Sequence, residues 1–220
     1  NFYITRIEEE NIMAIFKINN EDYIKQENLV LTASGQLYRK DKRGFLPILM
    51  ESMYANRSTT KKEMLGYEQK LQSDKDNQEY INQIAKLNSM QMALKILLNS
   101  LYGSLGNVHS RYFDIRMAES ITLSGQLANR WNAKMMDNYF NKVNKTEGVQ
   151  YTIAGDTDSN YLSMETLVEN TCKGKSTEDK IKFMDKFCSD IITPMIDRSY
   201  QKMADYLNAY EQKMNMKREV

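Results

Sequence analysis

Residues 154–159 read Ala-Gly-Asp-Thr-Asp-Ser, with two carboxylates, Asp156 and Asp158, two positions apart. The flanking segments 149–154 and 159–163 read as strands, which puts the acidic pair at the tip of a strand–turn–strand. On an extended backbone, residues i and i+2 point to the same side. The expectation is an exposed acidic corner able to hold a small hard cation. Mg²⁺ is usually held by one or two protein carboxylates, with waters and substrate phosphates completing its shell. That points to phosphoryl-transfer chemistry, in which metal ions clamp the attacking and leaving oxygens. Two other readings compete. Asp tolerates turns and bonds its own backbone, so Asp-x-Asp is also ordinary turn chemistry. A calcium loop is excluded, because its sixth position needs Gly and is Tyr161, and its twelfth needs Glu and is Leu167.

The 220 residues can bury a real core, in one domain or two small lobes. No apolar run reaches the length of a membrane span, and no basic-apolar-small pattern opens the chain. His109 is the only histidine, and Cys172 and Cys188 form no ligand cluster, which excludes structural zinc and His-based triads. The two cysteines read as buried free thiols in a reducing compartment. Net charge is +1, but its distribution is uneven. Residues 80–113 contain no acidic residue while carrying Lys86, Lys95 and Arg111, and residues 39–75 hold nine basic residues against five acidic ones. A basic first half and an acidic tip in the second half suit an anionic partner. A solvated helix face would look the same.

Outward from the tip, residues 12–18 and 28–39 read as short strands, the second folded into a hairpin at Ser34-Gly35. Pro47 suits the first turn of a helix that runs to about residue 70, with Ile48, Leu49, Met53, Met64, Leu65 and Tyr67 at helical spacing. A polar break at 73–77 precedes a second helix over 77–102, with Ile81, Ile84, Ala85, Met92, Ile96 and Leu97 as its apolar side. So short a connector predicts an antiparallel helical hairpin, closed by Gly103 and Gly106. A third helix is expected over 116–142, with Ile121, Leu123, Leu127, Trp131, Met135 and Tyr139 prominent. Ser176-Thr177-Glu178 opens a further helix reaching about Leu207, bent near Pro194, and the tail from Glu211 reads as a returning strand. Strands interleaved with long helices, without a βαβ rhythm, predict an α+β fold around an antiparallel sheet, with the helical hairpin as an insertion.

Residues 95–103 read Lys-Ile-Leu-Leu-Asn-Ser-Leu-Tyr-Gly. At about 100° per residue, Lys95, Asn99 and Tyr102 fall within about 60° of one another, with Gly103 beside them. A lysine presents a point charge suited to phosphate. An amide can bond phosphate or sugar, and a ring beside a glycine offers a platform for a base pair. Ile96, Leu97 and Leu98 are left to pack inward. The plainer alternative is that Tyr102 is core and Lys95 snorkels. Arg57 and Lys61, at i and i+4, form a second basic pair that can face Lys95 and Asn99, whereas Lys62 should point elsewhere.

The pattern Lys95-x3-Asn99-Ser100-x-Tyr102-Gly103, followed 53 residues after Gly103 by Asp156-Thr157-Asp158-Ser159, resembles two signature motifs of family B DNA polymerases. Gly106-Asn107-Val108 and 111–116, Arg-Tyr-Phe-Asp-Ile-Arg, are similar to the T-even phage branch. The resemblance implies a palm formed by residues 1–44 and 105–220, with residues 45–104 as a fingers helical hairpin. It implies template-directed, Mg²⁺-dependent addition of deoxynucleotides to a primer 3′ end, in phage DNA replication. Arg57, Lys61 and Lys95 would hold the incoming triphosphate, with Asn99 in support, and Lys95 would protonate the departing pyrophosphate. Tyr102 and Gly103 would line the nascent base pair. Asp158 would be the principal metal ligand and Asp156 would shape the same corner. Thr157 and Ser159 would lie near the primer end. The partners implied are primer–template DNA, deoxynucleoside triphosphates, exonuclease and thumb domains and a sliding clamp, inside an infected bacterial cell or from a virus-encoded enzyme.

Three departures from the family pattern qualify this. The signature Asp with its Ser-Leu-Tyr-Pro stretch, which supplies the other main metal-binding Asp, does not occur in the 220 residues, nor does anything resembling the exonuclease or thumb. The usual Tyr before Gly-Asp-Thr-Asp is Ala154. The isolated chain is therefore expected to be catalytically incomplete, with a nucleotide- or nucleic-acid-binding module, or a subunit of a split polymerase, as the alternative function.

Overall fold

In the computed structural model, residues 21–156, 158–216 and 218 are described. The strand expected over 12–18 lies outside them. The chain divides into two compact units, Asp41–Ala118 and Asn1–Lys40 with Glu119–Val220.

The first unit is built on two long helices, α2 (Phe45–Ser73) and α3 (Gln78–Gly106). Four residues connect them, folding α3 back along α2. Asn77 makes the reversal: its side-chain oxygen accepts from the backbone N–H of Glu79 and Tyr80 at 3.1 and 3.2 Å, satisfying two of the orphan donors at the helix start. Tyr67 and Tyr80 pack beside the turn with ring centroids 5.9 Å apart. The buried residues are Thr60 on α2 and Gln91, Leu98 and Leu105 on α3. Spacing of seven along α3 makes this a narrow seam. Three sequence expectations need correction. Gly103 lies inside α3, which ends a turn later, at Gly106. Ile96 and Leu97 are exposed, at 60% and 53%, because about 100° per residue places them roughly 160° and 100° from Leu98 and the seam. Ile81 and Met92 are likewise exposed.

In the second unit, α1 (Glu21–Gln26) leads to the antiparallel pair β1 (Leu29–Leu31) and β2 (Leu37–Arg39). Gly35 adopts φ 80° in their connecting turn, a backbone region open mainly to glycine. The helix α4 (Ile115–Asn144) runs on from the first unit, and its part from Glu119 onward forms the spine of the second. Two β-strands, β3 (Thr152–Asp156) and β4 (Ser159–Leu162), form a second antiparallel pair, followed by α5 (Glu165–Thr171), which the sequence reading did not anticipate. The fold is α+β, mostly helical, and among the described residues the strands form two separate two-stranded sheets rather than one.

The expected bent helix is α6 (Thr177–Phe187) and α7 (Thr193–Tyr206), joined by a π-helical turn, Cys188–Ile192. Pro194 explains the joint, since it lacks the N–H that an α-helix would direct back four residues. Core residues lie at 192 in the turn and at 196, 200, 203 and 207 beyond it, in one cluster with Leu127, Ala128, Met136 and Phe140 of α4. Among the described residues no strand runs from Glu211: residues 211–216 are irregular, and the Gln212 side chain bonds the Met214 backbone through both its amide groups. Cys172 is buried and Cys188 half-buried, both as free thiols, and burial pushes the Cys188 thiol up.

Candidate functional site

The register Asp156↔Ser159 leaves Asp158 in the turn between β3 and β4. Thr157 lies outside the described residues. Both Asp156 and Asp158 are exposed. Asp158 belongs to the turn rather than to a strand, so the alternation of an extended backbone does not align it with Asp156; the reversal of the chain puts both carboxylates at one end of the hairpin. Ser159 closes the turn, its hydroxyl donating to the Asp156 carbonyl at 3.1 Å.

Two exposed strands need an anchor, because an isolated hairpin is marginal in water. The second unit supplies one along α4, at positions four residues apart. Asn141 donates from Nδ2 to the Val149 carbonyl at 2.7 Å, and its Oδ1 accepts from the Val149 N–H at 3.1 Å. Asp137 Oδ1 accepts the N–H groups of Tyr151 and Thr152, at 2.9 and 2.7 Å. The Ala133 carbonyl accepts from the Thr152 hydroxyl at 3.4 Å. Asn129 reaches β4, donating from Nδ2 to the Ser159 carbonyl at 3.4 Å, while its own carbonyl accepts from Asn160 Nδ2 at 3.2 Å. A β-carbon on Gly155 would come 3.2 Å from Asn160 Oδ1 and 3.4 Å from the Ser159 carbonyl, so this end of the hairpin is tight as well as bonded.

Behind this end, Asn132 and Tyr200 are buried. Burial pushes the Tyr200 phenol up, the neighbouring Asn132 amide lowers it, and the charge of Asp158 raises it further. The sequence reading missed Asn129, Asn132, Asp137, Asn141 and Tyr200. Their signal was present as Asn129, Asp137 and Asn141 at multiples of four on one helix, a pattern indistinguishable in sequence from a solvated face.

In the other unit, Lys95, Asn99, Tyr102 and Gly103 are all exposed on α3. Tyr102 is therefore not core. Relative to the buried Leu98, Tyr102, Lys95 and Asn99 lie at about 40°, 60° and 100° on one flank of the seam. Relative to the buried Thr60, Arg57 and Lys61 lie at about 60° and 100° on α2, whereas Lys62 is about 160° away. In an antiparallel pair these offsets fall on the same side. Lys61 is exposed and Arg57 half-buried, with its Nε enclosed and no hydrogen bond made to it. A space with nothing within 4 Å lies where Gly103 would carry a β-carbon.

Among the described residues, no three His, Cys, Asp or Glu side chains gather into a metal cage. Two exposed carboxylates at one tip suit Mg²⁺, which needs few protein ligands. No helix among the described residues is long and apolar enough to cross a membrane.

Comparison with known proteins places these features in a wider set. The profile of the family described as DNA polymerase family B matches residues 3–202. The protein named DNA-directed DNA polymerase of Enterobacteria phage T4 is 42% identical over 134 residues, covering 60% of this chain and 15% of the phage protein. Its namesake from Escherichia phage RB69 is 40% identical over 131 residues, covering 59% of this chain and 14% of that protein. The DNA polymerase beta of African swine fever virus (isolate Pig/Kenya/KEN-50/1950) is 28% identical over 156 residues, 68% of this chain and 12% of the viral protein. The chain thus spans a small fraction of the length of each relative.

Proposed function

The chain belongs to DNA polymerase family B, and from that premise we propose that it forms the nucleotide- and metal-binding part of a template-directed polymerase that extends a primer 3′ end. In this reading residues 45–104 are the fingers, and residues 1–44 and 105–220 belong to the palm. The observation that carries it is the β3–β4 tip, pinned along α4 and presenting Asp156 and Asp158 to solvent.

Asp158, with Asp156 beside it, would hold Mg²⁺, the site being completed by an Asp from outside this chain. Bound there, Mg²⁺ supplies charge stabilisation for the primer hydroxyl and the transferring phosphate. Arg57, Lys61 and Lys95 hold the triphosphate from one flank of the helical seam, and Asn99 bonds it from the next turn. The unpartnered Arg57 Nε supports this role, since an enclosed guanidinium donor lacking an acceptor favours an anionic ligand. Lys95 carries the proton for the departing pyrophosphate. Tyr102 supplies a flat face for the nascent base pair, and the bare backbone at Gly103 leaves room for it. Thr157 and Ser159 border the primer end. Ala154 removes a ring there that the family pattern usually supplies. The partners follow: primer–template DNA, deoxynucleoside triphosphates, the exonuclease and thumb domains and a sliding clamp, in the cytoplasm of an infected bacterial cell.

A second reading, a nucleotide-binding module that does not itself catalyse, is favoured by the absence of a third metal-ligating side chain at the tip among the described residues. Titration of a deoxynucleoside triphosphate into the 220-residue chain tests the binding role common to both. Lys95→Ala should weaken binding about tenfold, one charge-assisted phosphate contact being worth about 1.5–3 kcal/mol, and Lys62→Ala should leave it unchanged. Equal losses would reduce the site to nonspecific charge. Primer extension separates the two readings, because only the first predicts that Asp158→Asn abolishes extension by a completed enzyme.

A further inference from the structure

We propose that Asn129, Asn132 and Tyr200 are positioning residues that set where the Asp156–Asp158 corner stands when it takes up a divalent cation. The inference rests on reading that corner as the metal site.

Asn132 is fully enclosed, at 0% exposure, and neither its amide nitrogen nor its amide oxygen makes a hydrogen bond of ordinary geometry. Each such unmet group lowers stability, because its desolvation is not repaid by a hydrogen bond. A leucine of similar size would remove that cost. An asparagine at this place is therefore a poor choice for stability, and its surroundings indicate what else it serves. It lies three residues along α4 from Asn129, on the same side of the helix. Asn129 binds β4 twice, through the Ser159 carbonyl and the Asn160 side chain, immediately beside Asp158. Tyr200, only 4% exposed, lies near enough to both Asn132 and Asp158 for the amide to lower its phenol and the carboxylate charge to raise it. A carboxylate tip, a bracket on its second strand and a buried amide–phenol contact without a finished hydrogen bond thus lie in sequence. Groups placed in this order can hold the corner in position as it takes up a cation. Groups behind metal ligands typically fix ligand orientation in this way.

The test uses the 220-residue chain, Mn²⁺ as the probe and two readouts: paramagnetic broadening of the amide signals of residues 155–160, and thermal melting. Asn132→Leu should weaken Mn²⁺ binding at the tip about tenfold while raising the melting temperature. Tyr200→Phe, which removes one hydroxyl, and Asn129→Ala should weaken it in the same direction. Asn138→Leu, on the exposed side of α4, should change neither readout. A purely structural role for Asn132 predicts the opposite pairing, a lower melting temperature with unaltered binding, and that result overturns the proposal. Wild-type affinity in both Asn132→Leu and Tyr200→Phe overturns it as well, even if Asp158→Asn abolishes binding; the metal site then stands without this support. Broadening at the tip that is equal in the native chain and Asp158→Asn would instead remove the metal site itself, and the premise with it.

Discussion

Along α3 three side chains are buried, Gln91, Leu98 and Leu105, whereas α4, of nearly the same length, buries Leu127, Ala128, Asn132, Met136 and Phe140 in one half of its course. The two helices differ in how many neighbours they have, more than in how apolar they are. A helix with one partner can bury only a stripe. Ile96, Leu97 and Met92 remain outside it although their spacing is that of a buried face. A helix enclosed by α7, β3 and the loop between β1 and β2 buries a broad face and can afford polar residues within it. Hydrophobic periodicity therefore describes α4 well and α3 badly. In the helical hairpin, Lys95, Asn99 and Tyr102 stay exposed on one flank.

The sharpest way to break this comparison is at Phe140. It is fully enclosed and packs on Tyr139, Tyr151 and Phe187, with ring centroids 5.5, 5.4 and 6.4 Å away. Phe140→Ala should destabilise the chain by about 3–5 kcal/mol in denaturant unfolding. A loss under 1 kcal/mol would show that the broad face of α4 is not a core. Next in size is a neighbouring pair on α3. Leu98→Ala should cost about 2–3 kcal/mol, at the lower end of core truncations because the seam is narrow, and Leu97→Ala no more than about 0.5 kcal/mol. Similar costs for the two would mean that the hairpin buries a wider surface than its seam.

Much of this was legible in the sequence. The break at 73–77 was readable because Asn77 and its neighbours are poor helix residues with side chains suited to caps. The turn at Asp156–Ser159 was readable from alternating strand residues around an acidic tip. Three elements were not. The seven residues of α5 are too few for helical spacing to stand out. Ile121, expected to be buried, is 51% exposed because it lies about 100° around α4 from Ser120, which is buried at that level. At the tip, Asp156 and Asp158 stand out by residue type, whereas Asn129 matters through the β4 groups that it bonds. No sequence pattern distinguishes an asparagine that grips a strand from one that faces water.

Two smaller changes sharpen the contrast at the helix ends. Asn77→Ala removes the cap of α3 and should cost about 1 kcal/mol. Asp114 holds the start of α4, its Oδ1 accepting the Arg116 N–H at 3.0 Å while the Arg116 guanidinium grips both carboxylate oxygens. That side-chain contact, opposed in part by desolvation, holds the Asp114 carboxyl below its usual range. A depressed carboxylate contributes stability above its unfolded pKa and loses it as pH falls through the folded value. Asp114→Ala should therefore cost less than about 1 kcal/mol at neutral pH, the pair being solvent-exposed, and nothing in strong acid. Thermal melts at the two pH values read this directly, and a cost independent of pH would assign it to packing instead.

The π-helical turn at Cys188–Ile192 has a consequence for where mutation is tolerated. The inward residues run Phe183, Phe187, Ile192, Ile196 and Tyr200, and the single step of five among steps of four spans that turn. In unbroken α geometry, five residues would leave Ile192 about 140° out of phase with Phe187. The wider turn absorbs that error, so Tyr200 owes its place behind Asp158 to the number of residues in the turn as much as to their kind. Substitution of the exposed Ser189 or Asp190 leaves this count intact. Deletion of either resets the phase of everything after it, and so turns the loss of one residue into a rotation of the whole inward face of α7, Tyr200 included.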